Sequence, residues 1–72
     1  MKRILACDDE AVNRKLLARL LTSENTEAKV VESGEVLLDT VKTYNPDLIM
    51  LDVHMPGITG IQTLDSLKLM GF

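Results

Sequence analysis

Acidic side chains follow two of the most apolar stretches of this chain. Asp8 and Asp9 follow the apolar run at residues 4–7, and Asp52 follows the apolar run at residues 48–51. Carboxylates that lie close together repel one another, so some would hold a proton unless a cation offsets their charge. Mg²⁺ suits this need because it accepts one or a few carboxylates while keeping waters and a phosphoryl oxygen. The pattern predicts a Mg²⁺ site formed by Asp8, Asp9 and Asp52.

Asp52 is the candidate nucleophile of this site. A cation beside it would neutralise charge that builds up on an incoming phosphoryl group. The carboxylate could then form an aspartyl phosphate. A simpler interpretation is that Asp8 and Asp9 only begin a helix, where acids suit the helix dipole, but it leaves Asp52 unexplained. We interpret Glu10 as an exposed acid of the first helical turn, without a role in the site.

The acids can meet only if the elements that carry them bring two strand ends together. Apolar runs at residues 4–7, 28–31 and 48–51 predict short strands of a buried parallel sheet. A helical pattern follows each run, which predicts right-handed crossovers. If strands one and three are neighbours, about 4.8 Å apart, both acidic ends face one crevice. The predicted fold is an α/β, βαβαβα unit with a parallel sheet of order 2-1-3 and helices on both faces.

The first predicted helix is amphipathic. The side of this helix opposite its apolar residues is basic, and we expect Arg14, Lys15 and Arg19 to face solvent. An apolar stripe at i, i+4 spacing predicts the buried side. That stripe consists of Val12, Leu16, Leu17, Leu20 and Leu21.

The ends of the other two helices are also recognisable. Ser33 with the glycine after it opens the second helix, and Asn45 before a proline ends it, since that position disfavours helix. Thr59 with Gln62 three residues later fits a capping box for the third helix, and Gly71 fits its carboxyl-terminal cap.

Composition narrows the class of protein. The 72 residues allow one small domain, and 11 acids against 8 Lys and Arg argue against a nucleic-acid surface. The single cysteine, Cys7, excludes an internal disulfide, and its apolar neighbours predict a buried position. The run at residues 4–7 is too short for a signal peptide, and no stretch could span a bilayer. We therefore expect a cytoplasmic protein with no membrane partner.

Both acidic motifs resemble those of response-regulator receiver domains, the CheY-like superfamily of two-component signalling. The resemblance rests on CDDE at residues 7–10 and on DVHMPGITG at residues 52–60, where Met-Pro and a later Gly stand at the family's offsets. The spacing of the motifs and the order of strands and helices match as well, over the entire chain. The resemblance implies a flavodoxin-like fold. It also implies that Asp52 accepts a phosphoryl group from a sensor histidine kinase or a phosphotransfer protein.

The resemblance also implies the metal ligands. Asp9 would ligate Mg²⁺ directly, Asp8 mainly through water, and His54 through its backbone carbonyl. The imidazole ring of His54 is not expected to be a ligand. A domain of this kind is a phosphoacceptor in signalling and not an enzyme with turnover of its own.

The family pattern is longer than this chain. Residues 1–72 correspond to a partial receiver domain, with the first three βα units and without strands four and five. This motivates a second hypothesis, in which a truncated half-receiver acts as an assembly module. The exposed edge of the third strand would then pair with another chain, in the simplest case as a symmetric homodimer. A monodisperse monomer in light scattering at micromolar concentration would contradict this hypothesis.

Two other functions, one enzymatic and one of nucleotide binding, fit less well. Phosphatases of the haloacid-dehalogenase type carry a second Asp two residues after the nucleophile, where this chain has His54. Nucleotide binding through a Gly-rich loop fits less well still. Gly57 and Gly60 lack the P-loop lysine, and they do not follow the first strand, as the glycines of a dinucleotide-binding fingerprint would.

Overall fold

The structure, a computed structural model, describes residues 1–51, 60–69 and 71. Strands and helices alternate along the chain, as the apolar runs predict. The elements are β1 (Lys2–Cys7), α1 (Ala11–Leu21), β2 (Thr26–Val31), α2 (Gly34–Tyr44), β3 (Leu48–Leu51) and α3 (Gly60–Leu69).

The three strands form one parallel sheet of order β2-β1-β3. β1 is central, and Cys7 ends both of its ladders, opposite Val31 of β2 and Leu51 of β3. The predicted order 2-1-3 and the flavodoxin-like class are therefore confirmed. The order matters for the site because it makes the ends of β1 and β3 neighbours.

One face of the sheet, covered by α2 and α3, is here called the closed face. Successive side chains of a strand point to opposite faces of the sheet, so every second residue of each strand points to the closed face. Among the described residues they pack with α2 and α3 into an apolar cluster, and the prediction that Cys7 is buried is confirmed. The buried members of the cluster are Leu5, Cys7, Val31, Leu37, Val41 and Leu67.

The opposite face, on which α1 lies, is here called the open face. α1 contacts β1 and β2, but none of its residues is buried. Leu17 and Leu21 are half-buried, whereas Val12, Leu16 and Leu20 are 69%, 52% and 79% exposed. The prediction that the whole apolar stripe is buried was wrong, because a helix buries only the residues that have a partner in front of them.

The helix ends follow the predicted signals. The Ser33 hydroxyl accepts a hydrogen bond from the Val36 N–H at 3.2 Å, and α2 ends with Asn45 in the left-handed region at φ 54°. Gly71 follows α3 at φ 92°, as its predicted capping role requires. The predicted cap at Thr59 lies outside the described residues. None of the described helices is long and apolar enough to cross a membrane.

Hydrogen bonds tie β1 to the start of β3 at the amino end of the sheet. The Arg3 N–H donates to Asp47 Oδ2 at 2.8 Å, and the Asp47 N–H donates to the Arg3 carbonyl at 2.8 Å. The Arg3 guanidinium also donates to the Tyr44 carbonyl at 3.0 Å. Arg3 and Lys29 each lie 5.8 Å from the centre of the Tyr44 ring, a cation–π distance. The two hydrogen bonds between Arg3 and Asp47 help to fix the register of β3 against β1.

Candidate functional site

The candidate site lies at the carboxyl edge of the sheet. Cys7 and Leu51 form the last pair of the β1–β3 ladder, and Asp8 follows Cys7 directly. The structure thus brings the acidic end of β1 beside the end of β3. The other two predicted site residues, Asp52 and His54, lie outside the described residues, so the full predicted metal set stays a prediction.

Asp8 is held firmly by its backbone and by one carboxylate oxygen. Its N–H donates to the Val31 carbonyl at 3.1 Å, which extends the contact with β2 by one residue. Its Oδ1 accepts a hydrogen bond from the Glu10 N–H at 2.9 Å and closes a short turn before α1. The residue is half-buried. Asp8 is therefore fixed at the point where the strand becomes the loop.

The two acids after Asp8 are less constrained. Asp9 is exposed, and its carboxylate has no hydrogen bond or ion pair within residues 1–51, 60–69 and 71. Glu10 is exposed and stands at the N-cap of α1 without a capping hydrogen bond from its side chain. The prediction that Glu10 is exposed is confirmed, but the residue stands at the N-cap before α1 and not in the first helical turn. Asp9 is left with an accessible carboxylate at the edge of the sheet.

Sequence reasoning missed the role of Arg14 in this region. Its guanidinium donates to the Asp8 carbonyl at 3.0 Å, and the side chain is half-buried. The prediction that it faces solvent was wrong, because the start of α1 turns its side chain back toward the strand end. Lys15 and Arg19 are exposed, as predicted. The spacing of six residues between Asp8 and Arg14, across a tight turn, is the signal that could have indicated this contact.

An open groove of about 190 Å³ lies beside Asp8 on the open face of the sheet. It contains residues of β1, α1 and β3, so it spans the junction between the two strand ends. Its lining residues are Ala6, Cys7, Asp8, Leu17, Met50 and Leu51. The groove gives the carboxyl edge a concave surface next to the acids.

The donor chemistry here fits a hard divalent cation. Asp8 and Asp9 offer carboxylate oxygens, which Mg²⁺ prefers, and an exposed carboxylate suits an ion that keeps several waters. Within the part of the chain that the structure describes, no group of three or more His, Cys, Asp or Glu side chains could hold a metal. The two acids alone supply part of a site.

Comparisons with known proteins agree on one family. The family model for the response regulator receiver domain matches residues 4–71. The sensory transduction protein LytT of Oceanobacillus iheyensis is 39% identical over 67 residues, which cover 90% of this chain and 27% of LytT.

Solved structures give the same result. The chemotaxis protein CheY4 of Vibrio cholerae superposes with a TM-score of 0.91 at 26% identity, over 97% of this chain and 58% of that one. A chain in the crystal structure of histidine kinase ThkA in complex with response regulator protein TrrA gives a TM-score of 0.87 at 40% identity. That match covers 96% of this chain and 60% of the other. The present chain thus spans about three fifths of these solved chains and about a quarter of LytT.

Proposed function

This chain belongs to the response regulator receiver domain family of two-component signalling, and on that premise we propose that it accepts a phosphoryl group on Asp52. One observation carries the proposal: Cys7 and Leu51 are paired at the end of the β1–β3 ladder. Asp8 and Asp52 are the residues that directly follow this pair in the sequence. The parallel register therefore supports a site shared by the two acidic motifs.

The proposed metal ligands are Asp8, Asp9, Asp52 and the backbone carbonyl of His54. Receiver domains typically use Mg²⁺, and the carboxylates at the end of β1 have the oxygen chemistry that this ion prefers. When bound, the ion would supply positive charge against the phosphoryl oxygens. Asp9 is accessible enough to reach a hydrated ion, whereas Asp8 is held by the turn before α1.

The proposed reaction is a phosphoryl transfer between two side chains. A carboxylate oxygen of Asp52 attacks the phosphorus of a phosphohistidine, and a P–O bond forms as the P–N bond breaks. The released imidazole takes up a proton. Receiver domains are signalling domains, so the product is an aspartyl phosphate that serves as a signal.

We propose a sensor histidine kinase or a phosphotransfer protein as the partner. The likeness to a chain in the complex of histidine kinase ThkA with response regulator TrrA supports a kinase. A cytoplasmic location stays a prediction.

The family assignment favours receiver function over the assembly module. β3 has the exposed apolar side chains that the assembly hypothesis expects, with Leu48 at 53% and Met50 at 40% exposure. Dimerisation through this edge stays a prediction.

Intact mass spectrometry tests the acceptor directly. The chain is incubated with acetyl phosphate and Mg²⁺, beside Asp52→Asn and the matched control Asp39→Asn, which changes an exposed acid on α2. We expect the wild type and Asp39→Asn to gain one phosphoryl group, and Asp52→Asn to gain none. Omitting Mg²⁺ should abolish the gain in the wild type and in Asp39→Asn.

Two outcomes would contradict the proposal. A phosphoryl group that persists in Asp52→Asn would mean that another residue is the acceptor. No gain in a folded wild-type sample would mean that these 72 residues lack the acceptor activity, and the assembly hypothesis would then be the better account.

A further inference from the structure

Arg14 connects the first turn of α1 to the acidic end of β1. Its guanidinium donates to the Asp8 carbonyl at 3.0 Å, and its backbone N–H donates to the Glu10 carbonyl at 3.0 Å. A hydrogen bond from a charged donor is stronger than one between neutral groups. The contact is also partly buried, so salt screens it less than a surface contact. Hydrogen bonds from Arg14 therefore hold the loop between β1 and α1 at both of its ends.

The bonded carbonyl belongs to the peptide unit that joins Asp8 to Asp9. A peptide unit is planar, so a hydrogen bond to its oxygen restrains the orientation of the whole plane. The other end of that plane carries the amide and Cα of Asp9. The Asp9 carboxylate has no hydrogen-bond or ion-pair partner among the described residues, so this backbone is what sets the position of Cα and Cβ from which the side chain extends.

We propose that Arg14 is a positioning residue for magnesium binding, which orients the Asp8–Asp9 peptide so that the Asp9 carboxylate points into the site. This inference rests on the proposed function, because it concerns the same ion. Arg14 acts through the backbone and does not itself contact the ion. Groups that orient metal ligands in this indirect way typically change metal affinity by about 10- to 100-fold when removed.

Hydrogen exchange without metal tests the hold on the loop. Arg14→Met keeps the aliphatic stem and removes the donors, and Arg19→Met removes the same charge from the exposed last turn of α1. The reporter is the Glu10 amide, which is bonded to the Asp8 carboxylate. We expect it to exchange about fivefold faster in Arg14→Met, the effect of weakening one hydrogen bond, and to be unchanged in Arg19→Met. Equal exchange in the two variants would overturn the inference.

Magnesium titrations followed by amide chemical shifts test the consequence for the site. We expect the Kd for Mg²⁺ to rise about tenfold in Arg14→Met and to change less than about twofold in Arg19→Met. Arg14→Lys should recover part of the loss, because an ammonium group can also donate to the Asp8 carbonyl. If Arg14→Met weakened binding only by destabilising α1, the hydrogen-bond donor returned by Arg14→Lys would not restore the affinity for Mg²⁺.

The outcomes separate the two proposals. Equal affinity in Arg14→Met and Arg19→Met, with normal binding by the wild type, would overturn the role of Arg14 and leave the proposed function standing. No magnesium-dependent shift in the wild type would overturn the proposed metal site and with it this role of Arg14.

Discussion

The two faces of the sheet carry similar apolar helices but bury them to very different extents. On the closed face, Leu37 and Val41 of α2 are 0% and 2% exposed, whereas Leu16 and Leu20 of α1 on the open face are 52% and 79% exposed. α2 contacts both β1 and α3, so its apolar side has partners in two directions. α1 chiefly contacts β1 and β2. The difference shows that an apolar stripe defines the side of a helix that can be buried, while neighbouring elements decide how much of it is.

The largest expected effect comes from removing one leucine side chain on each face. Leu37→Ala should lower the free energy of unfolding by about 2–5 kcal/mol, because it leaves a cavity in the closed face. Leu16→Ala should change it by less than about 0.5 kcal/mol, because that side chain is already exposed. Urea unfolding followed by circular dichroism measures both. Equal losses would show that the two faces do not differ in energy as they do in exposure.

Helix capping sharpens the same comparison. Ser33→Ala removes the hydrogen bond to the Val36 N–H and should lower the free energy of unfolding by about 1 kcal/mol. The N-cap of α1, Glu10, makes no such side-chain bond, so Glu10→Ala should cost less than about 0.5 kcal/mol. Both variants are compared by urea unfolding without Mg²⁺. A loss at Glu10 as large as that at Ser33 would contradict this view of α1.

The smallest expected effect is a pH dependence from Tyr44, which packs at the rim of the closed face. Removal of its hydroxyl from water raises the pKa of Tyr44, the Glu27 carboxylate raises it further, and Arg3 lowers it. The folded protein therefore favours the neutral phenol. Its contribution to stability is fully present below the unfolded-state pKa of 10.0 and is lost as the pH rises through the higher folded-state pKa.

Tyr44→Phe removes this titration and should reduce the loss of stability at alkaline pH. Because Tyr44 is the one tyrosine in the sequence, absorbance of the phenolate reports its pKa directly. We expect the absorbance midpoint to lie higher in the folded protein than in urea. Equal midpoints, or an alkaline loss unchanged in Tyr44→Phe, would contradict the assignment.

The sheet order could be predicted from the sequence because it follows from two local facts. The runs before Asp8 and Asp52 are apolar enough to be strands. A site that uses the acids after both runs requires these two strands to be neighbours. The exposure of Leu20 could not be predicted in the same way, since a hydrophobic pattern contains no information on whether a covering element is present.

The candidate site was predictable only in part. The position of Asp8 at the strand end follows from the end of the apolar run. The contact from Arg14 depends on the angle at which α1 leaves the turn, and that angle is set by tertiary contacts. From its charge alone, Arg14 was predicted to face solvent.

Because β1 lies between β2 and β3, the order of synthesis decides when each of its edges can pair. Arg3 bonds to Asp47, 44 residues later in the chain. At ribosomal rates of about 5 to 20 residues per second, the partner on that side is made about 2 to 9 s after β1 itself. During that interval one edge of β1 has unpaired N–H and C=O groups, which can pair with any other extended segment in reach. That edge of β1 therefore stays unpaired until β3 has been synthesised.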